Sequence, residues 1–136
     1  MTARLVVLNT VWVSALVASA ILGYAQFVVT GDKSHISVVI AVVLATSLAA
    51  VAFGRTAHIA KAAHLCETLG FVGTLIGITI GLADVDIGAL ASPEGIIAAG
   101  NSLFAGVATA FCSTITGALA MLWLWSVGCV VGDSHA

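Results

Sequence analysis

Long apolar runs separated by short polar stretches organise the chain. Four of these runs are predicted to be membrane-spanning helices, at residues 5–29, 36–53, 65–82 and 96–131. A helix rises about 1.5 Å per residue and needs about 20 residues to cross the hydrocarbon of a bilayer. The first three runs are close to this length. The fourth is longer, so we expect it to project beyond the bilayer or to bend near Gly100 and Asn101.

The polar stretches carry helix-boundary signals. Gly31-Asp32-Lys33 separates the first two runs, and Ser34 is the predicted N-cap of the second helix. Gly54-Arg55 is a stop signal followed by a charge. Ser92-Pro93-Glu94 places a cap, a first-turn proline and an acidic first turn in order, which predicts the start of the last helix.

The composition is that of an integral membrane protein. Of the 136 residues, 61% are hydrophobic and 7% are charged, whereas a soluble domain carries about 25% charged residues. We therefore expect one all-α domain over residues 1–136, with four transmembrane helices. The net charge of −2 excludes a basic surface for nucleic acid. No nucleophile, base and acid form a catalytic constellation, so an enzyme is not expected.

The charged residues of the connections predict the orientation. Arg4, Arg55 and Lys61 lie on one side of the predicted membrane, and Lys33 is the only base on the other side. That other side collects the acids Asp32, Asp84, Asp86 and Glu94. Basic residues favour the cytoplasmic side. The prediction is a multi-pass protein of the cytoplasmic (inner) membrane with both termini in the cytoplasm.

Small residues form a stripe on the predicted third helix, which includes the sequence LGFVGTLIG at residues 69–77. At about 100° per residue, one face collects Gly70, Gly73, Gly77 and Gly81. Thr74 and Glu67 lie along its edge, two turns apart. Glycine lets membrane helices approach closely, so the stripe predicts helix packing, but packing alone does not explain the polar Thr74.

The last helix repeats this pattern. Its small-residue face consists of Gly106, Ala110, Ser113, Gly117 and Ala120. Thr114 adjoins this face, and Thr109 and Thr116 lie towards one side. A single threonine can bond its own backbone. Two stripes with threonines at comparable depth indicate that the two helices face each other or a shared polar lumen.

Both stretches resemble motifs of the MotA/TolQ/ExbB proton-channel family. ETLGFVGTLIGI is similar to the family's GLLGTxxGI signature, and AGVATAFCSTITGALA resembles its final-helix pattern. The matching positions of the first motif are Gly70, Gly73, Thr74 and Gly77. Those of the second are Gly106, Val107, Ala108, Ser113, Thr114 and Gly117. The two motifs stand in the family's order and cover roughly residues 67–122.

The resemblance implies a ring-forming subunit of a membrane motor or channel driven by protons or sodium ions, without a bound cofactor. It implies five copies around a dimer of single-span partner subunits whose helix carries an aspartate. The expected ion path or lumen comprises Thr74, Thr114, Thr109, Ser113 and Glu67, and the expected packing positions are Gly70, Gly73, Gly77, Gly81, Gly106, Ala110 and Gly117.

The chain also departs from the family pattern. Thr109 stands where TolQ and ExbB members carry a glutamate. The large cytoplasmic domain that normally separates the second and third spans is reduced to residues 54–64, which argues against a flagellar role.

Other readings of single residues remain open. Glu67 lies near the predicted cytoplasmic end of its helix. Its carboxylate is expected either to belong to an ion pathway or to be solvated there or paired with Lys61. His58, His64 and Cys66 have no recognised ligand spacing, so a metal site is not expected. The aromatic residues Trp12, Trp123, Trp125 and Tyr24 are predicted interfacial or lipid-facing anchors.

Two other functions compete with the motor. The first is a holin-like or structural pore that oligomerises through the same stripes and needs no partner. The second is a small drug/proton exchanger, which depends on a carboxylate in the first span. Residues 5–29 contain no Asp or Glu, which disfavours the exchanger.

Overall fold

The computed structural model describes residues 3–132, which are helical with short connections. The helices are α1 (Ala3–Ile21), α2 (Tyr24–Gly31), α3 (Ile36–Ala52), α4 (Ile59–Ala83), a 3₁₀ turn at Gly88–Ala91, and α5 (Pro93–Gly132). Residues 1–2 and 133–136 of the predicted domain lie outside the described residues. The all-α prediction is confirmed over the described range.

Three of the described helices are long and apolar enough to cross a membrane. They are α1 with 19 residues, α4 with 25 and α5 with 40. The second predicted span, residues 36–53, corresponds to α3, which is apolar but has only 17 residues. Its length of about 25 Å is shorter than the hydrocarbon thickness of about 30 Å. Length and composition thus support membrane association through α1, α4 and α5.

The first predicted helix, residues 5–29, is broken. It ends at Ile21, and α2 starts at Tyr24 after Gly23, whose φ of 82° lies in the left-handed region. Glycine adopts this conformation without the steric cost that a Cβ would impose, and a left-handed residue ends a helix. Hydropathy does not detect such a break, because the residues on both sides of it are apolar.

The third helix starts earlier than predicted. It begins at Ile59, so Lys61 and His64 lie on α4 and not in a connecting loop. Both side chains are exposed, while Ile59 and Ala63 on the opposite side are buried. The charges had indicated a loop, but they occupy the exposed face of an amphipathic first turn.

The last helix starts where its boundary signal predicts. Ser92 Oγ accepts a hydrogen bond from the Gly95 amide at 3.1 Å, and α5 begins at Pro93. It runs unbroken through Gly100 to Gly132, about 60 Å at 1.5 Å per residue. This length is about twice the hydrocarbon thickness.

Two tryptophans pack against each other, with Trp123 buried and Trp12 half-buried. Trp12 and Trp123 stack with ring centroids 5.4 Å apart and planes 8° from parallel. Trp123 Nε1 donates to Asn9 Oδ1 at 2.8 Å, and Trp12 Nε1 donates to Ser126 Oγ at 3.2 Å. The anchor prediction is wrong for Trp123, which is 5% exposed, whereas for the half-buried Trp12 it stays a prediction. Trp125 and Tyr24 are exposed, as anchors require.

A core of large apolar side chains lies where α1, α3, α4 and the last turns of α5 meet. It is centred on the buried residues Leu5, Ile40, Ile59, Leu124 and Val127. The other half of the α4–α5 pair contains small residues, and it holds the candidate site.

Candidate functional site

The glycines of α4 lie directly against the small residues of α5. Gly70 faces Gly117, and Gly81 faces Gly106, so the two helices pair antiparallel. A Cβ built on Gly106 would come within 2.5 Å of the Gly81 Cα. A Cβ on Gly77 would lie 2.6 Å from the backbone nitrogen of Ala110. Such backbone-to-backbone contact is possible only without side chains.

Both small-residue stripes are therefore covered inside one chain. All four stripe glycines of α4 and the five small residues of α5 are buried. The prediction that these two helices face each other through their small-residue stripes is confirmed. Oligomerisation through the same stripes, as expected for the holin-like pore, does not fit this arrangement, because the two faces cover each other. A ring or a pore would use other surfaces.

Thr74 and Thr114 meet across this interface. Their hydroxyl oxygens are hydrogen-bonding partners. Thr74 Oγ1 also donates to Gly70 O at 3.1 Å, and Thr114 Oγ1 donates to Ala110 O at 2.8 Å. Two hydroxyls have only two protons for these three contacts. Either hydroxyl can therefore turn its O–H from the backbone carbonyl to the other hydroxyl, or to an incoming group, while the helices stay in place.

The threonine pair lies on an open side of α4 and α5. Phe71 and Phe111 each precede a threonine by three residues and are 62% and 63% exposed. The other side is covered by α3, where a Cβ built on Gly73 would lie 3.1 Å from Ile36 Cγ2. The described chain thus leaves the hydroxyl pair accessible between two aromatic side chains.

Thr109 and Ser113 are placed differently. Both are 0% exposed. Thr109 Oγ1 donates to Gly31 O at 2.9 Å, and Ser113 Oγ donates to Ala110 O at 3.0 Å. Their burial inside the chain does not fit the expected position on a lumen between chains. Their hydroxyls instead attach the α2–α3 connection to α5 and bond the backbone of α5.

Glu67 is exposed near the start of α4. Its Oε2 lies 3.5 Å from His64 Nδ1, one turn earlier on the helix. The Glu67 carboxylate therefore contacts His64 and not Lys61, because residues three apart lie on the same side of a helix, and the contact is an ion pair only when His64 is protonated. Glu67 and Thr74 lie two turns apart on the same side of α4, as the helical spacing predicts.

Asp32 was predicted to lie with the other acids at one side of the membrane, but it is buried. It is 3% exposed, and it accepts hydrogen bonds from the amides of Ser34 at 2.9 Å and Ser37 at 2.7 Å. Burial raises the pKa of Asp32, but the bonds from Ser34 and Ser37 outweigh burial and hold that pKa below its usual value of 3.8. The D-x-S-x-x-S spacing is the sequence signal that could have indicated this role.

Two side chains accept amides at the start of α3: Ser34 Oγ accepts from Ile36 at 3.3 Å, and Asp32 Oδ2 accepts from Ser37 at 2.7 Å. Ser34 therefore bonds the first turn, but it does not stand at the N-cap position that was predicted for it. The residue at the N-cap position is His35, with a φ of 57° and no side-chain cap bond. The connection also reaches α5 well away from its ends, since the Lys33 amide lies 3.5 Å from Thr109 Oγ1. Asp32 is thus buried, whereas Asp84 and Asp86, with which it was predicted to share one side of the membrane, are exposed.

Within residues 3–132, no three His, Cys, Asp or Glu side chains are grouped to hold a metal ion. No family model, curated protein or solved structure matches the chain.

Proposed function

We propose that the chain is a ring-forming subunit of a membrane motor or channel that couples proton or sodium flow to the motion of a partner subunit. The proposal rests on the MotA/TolQ/ExbB-like motifs and on the accessible Thr74–Thr114 pair. It includes four spans, a ring of five copies in the inner membrane, and cytoplasmic termini.

The threonine pair is the observation that carries the proposal. A path for an ion, or a surface for a helix that carries one, needs hydrogen-bonding groups in an apolar setting. An unmet polar group on a passing helix would cost about 1–3 kcal/mol. Thr74 and Thr114 offer such groups at one depth and on the open side of the pair.

A second chain supplies the charge in this proposal. Glu94, in the first turn, is the only acid of α5, and the part of the helix around Thr114 carries none. Motion of an ion through apolar surroundings is aided by a carboxylate that binds and releases it. A dimer of single-span subunits with an intramembrane aspartate would provide that group against the threonine pair.

Contacts between copies would use exposed apolar side chains. α4 and α5 expose large residues that include Leu75, Leu82, Leu103 and Phe104. Contiguous apolar surface of this kind faces lipid or another protein. The covered glycine stripes would then hold each subunit together, and these larger residues would form the boundaries between subunits.

The test replaces each threonine with valine, which removes the hydroxyl and roughly keeps the volume. Thr79→Val is the matched control, because Thr79 lies on α4 and its hydroxyl bonds only Leu75 O of its own helix, at 2.8 Å. The chain is affinity-purified from its own host membranes together with whatever co-purifies. It is then reconstituted into liposomes, where ion flux and complex mass are measured.

Thr74→Val and Thr114→Val are expected to abolish or strongly reduce flux while the complex mass stays unchanged. The double variant should be no worse than the more damaging single variant, because the two hydroxyls act as one unit. Thr79→Val should keep full flux. Full flux in both single variants, with an Asp-bearing partner missing from the preparation, would refute the motor proposal and favour the partner-free pore.

A further inference from the structure

A groove of about 540 Å³ opens between α4 and α5 at the end of the pair where α4 begins, at Ile59. Its α4 wall includes His64 and Glu67, and its α5 wall includes Trp125 and Cys129. The size of the buried residues of α4 and α5 changes at this end. Glycines pair from Gly70 to Gly81, whereas the buried residues of the two helices at this end include the larger Ile59, Leu124 and Val127.

The groove continues the side of the pair that carries the threonines. Glu67 precedes Thr74 by seven residues, two helical turns, so both lie on one face of α4. Met121 and Trp125, which also line the groove, follow Thr114 by seven and eleven residues and share its face of α5. Glu67 is therefore about 10 Å below the level of the threonine pair along the helix axis.

The groove combines a carboxylate with apolar walls. Among residues 3–132, Glu67 is the only acid that lines the groove, and His64, 3.5 Å away, is the only other titratable side chain of its α4 wall. Cys129 is the titratable group on the α5 wall. Apolar walls focus the field of a charge and raise the local concentration of counter-ions. An exposed carboxylate in such a groove attracts cations from the adjoining water.

We infer that this groove is a water-filled vestibule in which Glu67 concentrates monovalent cations beside the Thr74–Thr114 pair. The passage of these cations to the threonine pair rests on the proposed function. The presence of water in the groove and the effect of the Glu67 charge do not rest on it, and each can be tested by itself. The competing occupants are lipid and a tightly packed protein segment.

Cys129 is a native reporter for the test. It is exposed in the groove, whereas Cys66 and Cys112 are buried. In open membrane fragments, the rate of Cys129 modification is measured with a cationic and with an anionic methanethiosulfonate reagent. The ratio of the two rates reports the local potential and cancels changes in the reactivity of the thiol itself. Glu94→Gln is the matched control, since Glu94 lies in the first turn of α5, at the opposite end of that helix.

Cys129 should react with both reagents, and faster with the cationic one. Glu67→Gln should lower the cationic-to-anionic rate ratio by about twofold or more, and raising the salt concentration should shrink that difference. Glu94→Gln should leave the ratio unchanged. Protection of Cys129 from both reagents would overturn the inference, because the groove would then hold lipid or protein. An unchanged ratio in Glu67→Gln would overturn it as well.

Flux measurements separate this inference from the proposed function. In the reconstituted complex, Glu67→Gln should reduce flux at low salt and recover towards the wild-type value at high salt. Loss of flux in Thr74→Val with no effect of Glu67→Gln at any salt concentration would refute the vestibule and leave the motor standing. If wild-type flux does not exceed that of protein-free liposomes, the motor fails, while the rate ratio at Cys129 still decides whether the groove is aqueous and cation-attracting.

Discussion

Gly81 and Gly106 pack with their backbones in contact, and neither position has room for a Cβ. An added Cβ on Gly106 would lie 2.5 Å from the Gly81 Cα and 2.8 Å from Gly77 O. Both of these neighbours are backbone atoms that cannot rotate away as a flexible side chain would. The antiparallel pair of α4 and α5 therefore depends on glycine at this crossing.

Gly106→Ala is accordingly expected to destabilise the chain by about 1–3 kcal/mol through overpacking. Gly100→Ala is the control in the same helix, since a Cβ there meets nothing within 4 Å. It should be neutral or stabilising by up to about 1 kcal/mol, because alanine favours helix more than glycine. Unfolding of the detergent-solubilised variants measures both. Equal stability of the two variants would show that α4 and α5 do not touch at Gly106.

A second prediction concerns the cap of α3. Asp32→Ala should lower the free energy of unfolding by about 1–3 kcal/mol, since buried amides of the connection lose their charged acceptor. Ser37→Ala is the matched change. The Ser37 amide would still bond Asp32, and the buried Ser37 hydroxyl has no partner among the described residues. Ser37→Ala should therefore lower the free energy of unfolding much less than Asp32→Ala, and an equal loss would contradict the assignment.

The same carboxylate gives this prediction a pH dependence. The pKa of Asp32 is lower in the folded chain than its usual value of 3.8. Its charge therefore stabilises the fold fully above 3.8, and that contribution is lost as the pH falls through the folded pKa. The stability difference between the wild type and Asp32→Asn should shrink in acid. A difference that stays constant down to that range would rule out the charged cap.

A third prediction tests the orientation. Asp86 and Ala57 are exposed at opposite ends of α4, in the connections that follow and precede it. In a Cys129→Ser background, an impermeant thiol reagent added to intact cells should label Asp86→Cys and not Ala57→Cys. Labelling of Ala57→Cys should require inverted vesicles. The reverse pattern would place the termini outside and overturn the positive-inside argument.

The sequence predicted the long helices well because their residues are apolar over more than 18 positions. It also placed the start of α5 at Pro93, because cap, proline and acid stand in order there. It missed the break at Gly23, since a left-handed glycine leaves no trace in hydropathy. It placed Lys61 in a loop because a charge was taken as a boundary, whereas a helix end can expose a charge on one face.

The candidate site was only partly predictable. Helical spacing put Thr74 beside the glycine stripe and Thr114 beside its counterpart, and the structure joins the two hydroxyls. Spacing within one helix could not show whether the two stripes pack against each other within one chain or against another subunit, because the choice of partner depends on tertiary packing. For the same reason Thr109 and Ser113 looked equivalent to Thr114, although they face the interior.

The contact between the glycine backbones has a mechanical consequence. From Gly70 to Gly81 the two helices touch through main-chain atoms, which have no rotamers to yield under load. A force applied where α4 begins, at Ile59, is therefore transmitted to the opposite end of the α4–α5 pair, which moves as one rigid body. Deformation under such a force would occur in the packing of the large side chains around the pair, because these side chains can change rotamer.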